Sequence, residues 1–194
     1  MTSQSAIRTS MQKKRAELDK TRQANYSKEI CQQVANSGAL DGATHIAIYL
    51  PVRGEADPTY LQNIKQLIDR QFYLPILSKR NKNHLEFALY NKATSMKLNC
   101  FNIPEPDVDS DALLTDLKKL DAVIMPVVAI DRSGNRIGMG GGFYDRTFAF
   151  RKSERSKPEL IAFAYDFQLT KQQNPQVWDV PADTVALQSE FIRI

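Results

Sequence analysis

The order of apolar and polar residues predicts two helices and a strand at the start of the chain. Ile7, Met11 and Leu18 lie on one helical stripe. Residues 27–38 continue as a second helix, which Gly38 is expected to end. Residues 45–51 form a short apolar run closed by proline, and this pattern predicts a strand.

Helix and strand patterns continue to alternate toward the carboxyl terminus. Asp57 as N-cap and Pro58 as first helical residue predict a helix over residues 57–70. The β-branched run at 121–131 is typical of a strand buried on both faces. The remaining patterns predict helices at 110–120 and 144–150, strands at 71–77, 84–90, 160–166, 184–187 and 190–194, a turn-rich segment at 102–107 and a solvated surface connection at 151–159.

This alternation predicts an α/β fold assembled from βαβ units. The chain has 194 residues, of which 42% are apolar, and this is enough for one sizeable core. We expect a single domain over residues 1–194, with a mainly parallel, twisted sheet flanked by helices in a Rossmann-like three-layer sandwich. In such folds ligands bind in a crevice at the carboxyl ends of the strands.

The composition favours a soluble, cytoplasmic protein, which we expect to be a monomer. Charged residues make up 25% of the chain, and the mean hydropathy is −0.41. No apolar run approaches the roughly 18 residues of a membrane span, and the amino terminus lacks the apolar segment of a secretory signal. Cys31 and Cys100 are far apart and stand among no other metal-ligand types, so neither a disulfide framework nor a zinc site is indicated.

The charge distribution weakly favours anionic ligands. The net charge is +4, and basic residues cluster at 13–15 and 77–84. Nucleotide, phosphate, polyglutamate and nucleic acid all fit this pattern. A nucleic-acid-binding protein is the non-enzymatic alternative, but the chain has no RNP, zinc-finger or clear helix-turn-helix pattern, so we expect no nucleic-acid or membrane partner.

The segment RIGMGGGFYDR, residues 136–146, predicts a phosphate loop between a buried strand and a helix. Four glycines allow a ligand to approach the main chain closely, and Arg136 and Arg146 offer planar donors to phosphate oxygens. Asp145 would repel a polyphosphate unless a cation lies between them, so it indicates a hard metal such as Mg²⁺. The glycines that define the loop are Gly138, Gly140, Gly141 and Gly142.

The loop matches neither of two familiar nucleotide motifs. The pattern G-x-G-x-x-G begins at Gly138 and Gly140 but meets Phe143 at the third glycine position. The pattern G-x-x-x-x-G-K-[ST] is absent from the sequence. The alternative is a glycine-rich turn without a ligand.

Several other residues are candidates with two open interpretations each. Glu55 follows the first strand and reaches the rim of the crevice, or it is a solvated loop residue. Arg8 and Arg15 share one helical face and either reach a polyphosphate or face solvent. The side chains that could stack on a planar heterocycle or belong to the core are Phe101, Phe143 and Tyr144.

An ordered set of motifs resembles the 5-formyltetrahydrofolate cyclo-ligase family over nearly the whole chain. The set comprises Ile7, Arg8 and Arg15, then YLP and GEAD within residues 49–57, FNIPEPD at 101–107, the block at 125–146, and WDVPAD at 178–183. The block that contains the glycine loop is the most specific of these motifs.

The resemblance implies an ATP-dependent enzyme that uses Mg²⁺ and closes 5-formyltetrahydrofolate, with or without a polyglutamate tail, to 5,10-methenyltetrahydrofolate. The formyl oxygen would attack the γ-phosphate to give a phosphorylated iminium, nitrogen-10 would attack its carbon, and ADP and phosphate would be released. The protein would mainly position the reactants and stabilise charge.

The resemblance also implies roles for individual residues. It assigns catalysis to Glu55, Arg136 and Tyr144, with Glu55 near the formyl group and the pterin. It assigns Mg²⁺ binding to Asp145 and Asp183. ATP would contact Arg8, Arg136, Ile137, Gly138, Met139, Gly140, Gly141, Gly142, Phe143 and Tyr144. The folate would contact Leu50, Glu55, Phe101, Met139, Gly140, Gly141, Gly142 and Phe143.

Three positions depart from the pattern that the resemblance implies. Gln4 stands where many members have lysine, so a phosphate contact is lost or supplied by Lys13 or Lys14. Gly141 replaces a lysine found in some relatives. Phe101 stands where some relatives have tryptophan, and stacking should survive this change with weaker folate affinity. The rival enzymatic interpretation is a phosphate-loop enzyme of the same fold that acts on a sugar phosphate or a coenzyme A ester. It would need the loop and Asp145 but neither Glu55 nor ATP turnover.

Overall fold

The two helices predicted at the amino terminus are confirmed. The structure is a computed structural model that describes residues 3–153, 157–171 and 173–194. Helix α1 spans Gln4–Ala16 and helix α2 spans Lys20–Asn36. The Asp19 side chain caps α2 by accepting from the Arg22 amide at 2.8 Å. Gly38 follows the end of α2 with a φ of 75°, the left-handed conformation that favours glycine after a helix.

The prediction of a large, mainly parallel sheet flanked by helices is confirmed. Eight strands follow the order β12-β11-β10-β7-β1-β2-β3-β6. The five neighbours β11, β10, β7, β1 and β2 are parallel, and antiparallel strands β12, β3 and β6 complete the edges. These strands are β1 (His45–Ala47), β2 (Gln71–Leu77), β3 (Leu85–Tyr90), β6 (Leu113–Leu114), β7 (Ala122–Pro126), β10 (Glu159–Phe163), β11 (Thr184–Ala186) and β12 (Phe191–Arg193).

Alternate residues of the central strands enter two separate apolar clusters, one on each face of the sheet. Ile46 and Ile124 pack in the cluster that includes Ile30 of α2. Ala47 and Val123, one position along on the same strands, pack in the second cluster with Phe148. Both faces are therefore covered, which explains why these strands are apolar without interruption.

The prediction of an α-helix over residues 57–70 is wrong in its helix type. Asp57 does cap the segment by accepting from the Thr59 amide at 2.8 Å. The chain then forms two 3₁₀ turns, Pro58–Asn63 and Lys65–Leu67, separated by extended backbone at Ile64. Leu61 and Leu67 are buried and Ile64 is partly buried against the core, so each turn and the residue between them contributes an apolar side chain.

Three further segments differ from the predicted elements. Residues 110–120 form two 3₁₀ turns, Ser110–Ala112 and Leu117–Lys119, because the leucines between them pair with the edge of β3. Residues 102–107 contain strand β5 (Pro104–Pro106), which pairs with β4 (Met96–Leu98). The predicted strand at 121–131 ends at Pro126 and resumes as β8 (Ala129–Ile130), which pairs with β9 (Arg136–Ile137).

The helix predicted at 144–150 is shorter in the structure and begins one residue earlier. Helix α3 spans Phe143–Thr147, and a 3₁₀ turn at Ala149–Lys152 follows it. The predicted surface connection at 151–159 lies partly outside the described residues. In the described ranges, no helix is both long and apolar enough to cross a membrane.

Candidate active site

The loop at residues 48–57 carries Glu55 to the carboxyl edge of the parallel strands. It follows strand β1, which lies between β7 and β2 in the sheet. From β1 the chain continues to β2 on one side, and from β7 it continues to β10 on the other. A crevice forms at the carboxyl ends of two parallel strands whose connections diverge in this way. The Tyr49 hydroxyl donates to the Ala56 carbonyl oxygen at 2.6 Å. Arg53 and Gly54 turn the chain with φ values of 51° and 74°. These contacts direct the Glu55 side chain inward.

Glu55 is a buried carboxylate with a charged partner. Its exposed fraction is 9%, and Oε1 lies 3.3 Å from Nη1 of Arg15. Oε2 accepts from the Val52 amide at 3.2 Å. Burial raises the pKa of the Glu55 carboxyl above its ordinary value, while the Val52 amide, Arg15 and Arg53 oppose this rise. A raised carboxyl pKa is typical of functional sites.

The β8–β9 hairpin places the glycine loop beside helix α1. Strand β9 contains Arg136 and Ile137, so both residues are held by strand pairing before the loop begins. Nε of Arg8 donates to the Gly138 carbonyl oxygen at 2.8 Å. Gly140 and Gly142 adopt φ values of 97° and 64°, which only glycine adopts without strain.

Space around the glycines differs along the loop. A methyl group added at Gly138 or Gly140 would meet no atom within 4 Å. At Gly141 it would lie 2.7 Å from the Phe143 ring, and at Gly142 2.7 Å from the Arg146 guanidinium. The first two glycines thus border open space, whereas a lysine at position 141 would require Phe143 to move.

Arg136 and Asp145 form a mostly buried ion pair at the start of helix α3. Nη2 of Arg136 donates to Oδ1 of Asp145 at 2.6 Å, and their side chains are 6% and 23% exposed. The Val180 amide donates to the same carboxylate oxygen at 3.0 Å. Burial lowers the pKa of Arg136, and the neighbouring Asp145 opposes this shift. Within the described ranges, no group of three or more His, Cys, Asp or Glu side chains is arranged to hold a metal.

Tyr144 connects the two parts of the site. Burial is the main cause that raises the pKa of its hydroxyl, the Glu55 carboxylate raises it further, and Arg136 opposes them. Both charged groups therefore act on one phenol. The Tyr144 ring stacks on Phe148, with ring centroids 6.3 Å apart.

Exposed apolar side chains lie next to the glycine loop. Phe101 is 55% exposed, and its ring meets the edge of Phe143 with centroids 5.8 Å apart. Met139 is 47% exposed, although its sulfur also accepts from the Gln12 amide at 3.6 Å. Exposed aromatic and methionine side chains beside a cleft favour binding of a flat, partly apolar ligand.

A profile of the 5-formyltetrahydrofolate cyclo-ligase family matches residues 1–188. The chain belongs to this family. It is 35% identical to the 5-formyltetrahydrofolate cyclo-ligase of Haemophilus influenzae, covering 90% of this chain and 92% of that protein. It is also 35% identical to the protein of the same name from Escherichia coli K12, over 75% and 78% of the two chains.

Two solved structures share the fold of this cyclo-ligase family member. The structure of the 5,10-methenyltetrahydrofolate synthetase of Aquifex aeolicus matches with a TM-score of 0.79 and 24% identity, over 98% of this chain and 92% of that one. The synthetase of Mycoplasma pneumoniae matches with a TM-score of 0.71 and 19% identity, over 95% and 98%. Identities below 25% support the fold alone, and the family assignment rests on the sequence matches.

Most residues that the resemblance to the cyclo-ligase family assigned to the site lie together at the carboxyl edge. Glu55, Tyr144 and Arg136 form one electrostatic group. Arg8 contacts the glycine loop, and Leu50 is partly buried against the core at the end of β1.

Asp183 and Asp145 share no recorded contact in the described ranges, although Val180, three positions before Asp183, donates to Asp145. Asp183 precedes β11, and its Oδ2 accepts from the Leu160 amide at 2.8 Å, at the amino-terminal end of β10. Its carboxylate also pairs with Arg151. This is the edge of the parallel sheet opposite to Glu55, so a metal site shared by both aspartates stays a prediction from the resemblance.

The sequence alone did not identify which side chain contacts Glu55. Arg15 had two interpretations, polyphosphate binding or solvent exposure, yet it is fully buried against Glu55. Tyr49 and Gln12 were not singled out at all. The spacing of Arg8 and Arg15 on one helical face was the available signal, because α1 presents that face to the site.

Substitution of Gly138 by alanine tests whether the open space at the loop takes a ligand. The added methyl meets no protein atom, so the melting temperature is expected to stay close to that of the parent protein. If phosphate lies there, the KM for ATP should rise about tenfold, which corresponds to about 1.4 kcal/mol. Alanine at Gly42, where the φ of 73° makes the substitution strained, would show whether strain outside the loop changes the KM for ATP. An unchanged KM for ATP in G138A would remove Gly138 from the nucleotide site.

Proposed function

We propose that this protein catalyses the ATP-dependent closure of 5-formyltetrahydrofolate to 5,10-methenyltetrahydrofolate, as the names of its curated relatives indicate. The observation that carries this proposal is that helix α1 contacts both parts of the site: Arg15 pairs with the buried Glu55, and Arg8 donates to the open glycine loop at Gly138. One part of the site suits an organic substrate that develops positive charge, and the other suits a phosphate.

The glycine loop would hold the ATP phosphates. Its backbone borders open space at Gly138 and Gly140, and Arg8 brings a guanidinium to the loop. Helix α3 is short, so the loop backbone and the arginines contribute more than the helix dipole does. ATP supplies the phosphoryl group that converts the formyl oxygen into a leaving group. Ile137 and Arg136 precede the loop in β9 and fix its starting position.

Asp145 fits a magnesium site that depends mainly on phosphate and water oxygens. Among the described residues, the recorded hydrogen bonds of this carboxylate fall on Oδ1, from Arg136 and Val180. Oδ2 is the oxygen that would reach a hard cation. Mg²⁺ commonly uses one or two carboxylates together with nucleotide phosphates, which agrees with a site that has no acidic cluster in the described ranges.

The folate would lie on the apolar surface between Leu50, Phe101 and Met139. The exposed face of Phe101 suits stacking on a planar ring. Gly141 and Gly142 let Phe143 and Arg146 approach the loop closely, and we keep both glycines as folate and ATP contacts in this proposal. We keep a monomeric, cytoplasmic enzyme, with monoglutamate and polyglutamate folates as substrates, as parts of this proposal.

Three side chains would perform the chemistry. The Glu55 carboxylate would orient the reacting nitrogen and stabilise the positive charge that develops on the folate. Arg136 would stabilise negative charge as the phosphoryl group transfers, and its position is set by Asp145. Tyr144 is protonated at neutral pH, as an ordinary tyrosine is, and burial raises its pKa further, so its hydroxyl would donate a hydrogen bond within the site.

The test is the near-ultraviolet absorbance of purified protein mixed with 5-formyltetrahydrofolate and MgATP. The band of the methenyl product is expected to grow only in the complete mixture, and not without ATP or without metal. A flat trace from folded, metal-supplied protein would overturn the folate assignment. In that case, binding of a sugar phosphate or a coenzyme A ester that depends on the glycine loop and Asp145, but not on Glu55 or ATP, would identify the rival phosphate-loop enzyme.

A further inference from the structure

Arg15 is a fully buried arginine whose hydrogen bonding is incomplete. Its exposed fraction is 0%, and its one recorded side-chain partner among the described residues is Glu55, at 3.3 Å from Nη1. Nε and Nη2 are buried without a partner in the described part of the protein. An unsatisfied buried donor costs about 1–3 kcal/mol. An arginine that serves stability alone would be expected to use these donors.

Helix α1 carries Arg15 on the same face as two contacts to the glycine loop. Arg8 donates to the Gly138 carbonyl oxygen, and Gln12 donates to the Met139 sulfur. The spacing of four and three residues between Arg8, Gln12 and Arg15 places all of them on one side of the helix. One helix therefore contacts both the loop proposed for ATP and the carboxylate proposed for the folate.

We infer that Arg15 is a positioning residue, which holds the Glu55 carboxylate in one orientation and in its charged form for the folate step. This inference rests on the proposed function. Arg15 itself is closed off from solvent, so it acts through Glu55.

Among the described residues, Arg15 is the charged side chain with a recorded contact to the Glu55 carboxylate, and the other nearby groups act on it without such a contact. Arg53 acts on Glu55 from the same loop without a recorded hydrogen bond to it in the described residues. Asp57 and Glu55 both act on the buried Tyr49. The pKa values of the neighbouring hydroxyls are raised chiefly by burial, so these groups stay neutral where a carboxyl titrates: Tyr49, Tyr144 and Tyr165.

The sign of the effect follows from this arrangement. Burial disfavours the charged form of Glu55, and Arg15 favours it. Loss of the guanidinium should therefore raise the carboxyl pKa, and a rate that needs the charged form should then fall at a higher pH. A neighbouring opposite charge shifts a carboxyl pKa by about 1–3 units.

The experiment compares pH profiles of kcat/KM for 5-formyltetrahydrofolate at saturating MgATP. At low pH, kcat/KM is expected to fall as Glu55 becomes protonated; this part of the profile is its acidic limb. In Arg15→Met, the midpoint of the acidic limb is expected to rise by about one pH unit or more. Arg15→Lys keeps a positive charge at this position, so its midpoint should lie close to the wild-type value. Arg22→Met removes an exposed cation from helix α2, away from the loop and from Glu55, and should leave the acidic limb in place. If R15M does not fold, Arg15→Gln carries the same expectation as R15M.

A second measurement distinguishes failure of the proposed function from failure of the positioning role of Arg15. It is an isotope-edited NMR titration of the glutamate carboxyls, in which Glu55→Gln assigns the Glu55 resonance. A wild-type protein that forms no methenyl product overturns the proposed function, and the titration midpoint of Glu55 in R15M then still tests the pairing. An active wild type whose neutral Arg15 variants lose rate with no change in the limb overturns the positioning role. That result would make Arg15 a packing residue.

Discussion

Replacing Glu55 with glutamine is expected to lower kcat for methenyl formation by about 10²- to 10³-fold, within the usual range for loss of a positioned catalytic carboxyl. Glutamine keeps the size of the side chain but removes the negative charge that would stabilise the developing cation. Because the site is buried, water replaces that charge poorly. The rate is measured from the absorbance of the product at saturating folate and MgATP.

The matched control for E55Q is Glu17→Gln, an exposed glutamate at the end of α1. It should leave kcat within about twofold of the parent value, because a surface charge of this kind contributes little. ATP affinity should also be nearly unchanged in E55Q, since the glycine loop holds the phosphates. A kcat for E55Q close to that of E17Q would remove Glu55 from the chemistry.

The pH dependence of the parent enzyme follows from the same residue. An ordinary glutamate has a pKa of about 4.3, and burial raises the pKa of Glu55 above its ordinary value. The charged form is therefore lost at a higher pH than usual as the solution is acidified. We expect kcat/KM for the folate to fall on the acid side before an ordinary glutamate would titrate, and this limb should vanish in E55Q.

Replacing Asp145 with asparagine is expected to cause the second large loss. Asparagine keeps an oxygen that can accept from Arg136 and Val180, so the fold should be retained. The formal charge that would attract Mg²⁺ is lost. Turnover at physiological magnesium should fall about 10²-fold, and high magnesium should recover part of it. Rate is measured against magnesium concentration, and melting temperature reports the fold.

Asp183→Asn distinguishes the two aspartates that the resemblance assigned to magnesium. Asp183 accepts from the Leu160 amide and pairs with Arg151 at the opposite edge of the sheet. Its substitution should lower the melting temperature and leave the magnesium dependence unchanged. A magnesium dependence in D183N like that of D145N would support the shared metal site.

The predicted fold agrees with the structure where the pattern of apolar residues along the chain matches the burial of those residues in the core. The apolar strands β7 and β10 are covered on both faces, so their composition indicates a parallel sheet directly. Asp57 and Pro58 marked the start of their segment, yet the type of helix was wrong. Leu61 and Leu67 pack against the core from two 3₁₀ turns that extended backbone at Ile64 separates, and this break depends on the surface they pack against.

The sequence by itself determined the family, the parallel sheet and the glycine loop, because these depend on short patterns of residue type. Tertiary structure alone decided which side chains meet. Arg15 and Glu55 are 40 positions apart, and only the packing of α1 against the loop after β1 brings them together and removes water. Asp145 and Asp183 lie on separate elements, and the direction of the strands places Asp183 at the amino-terminal edge. Charge, pKa and metal binding depend on these distances, which local sequence patterns do not contain.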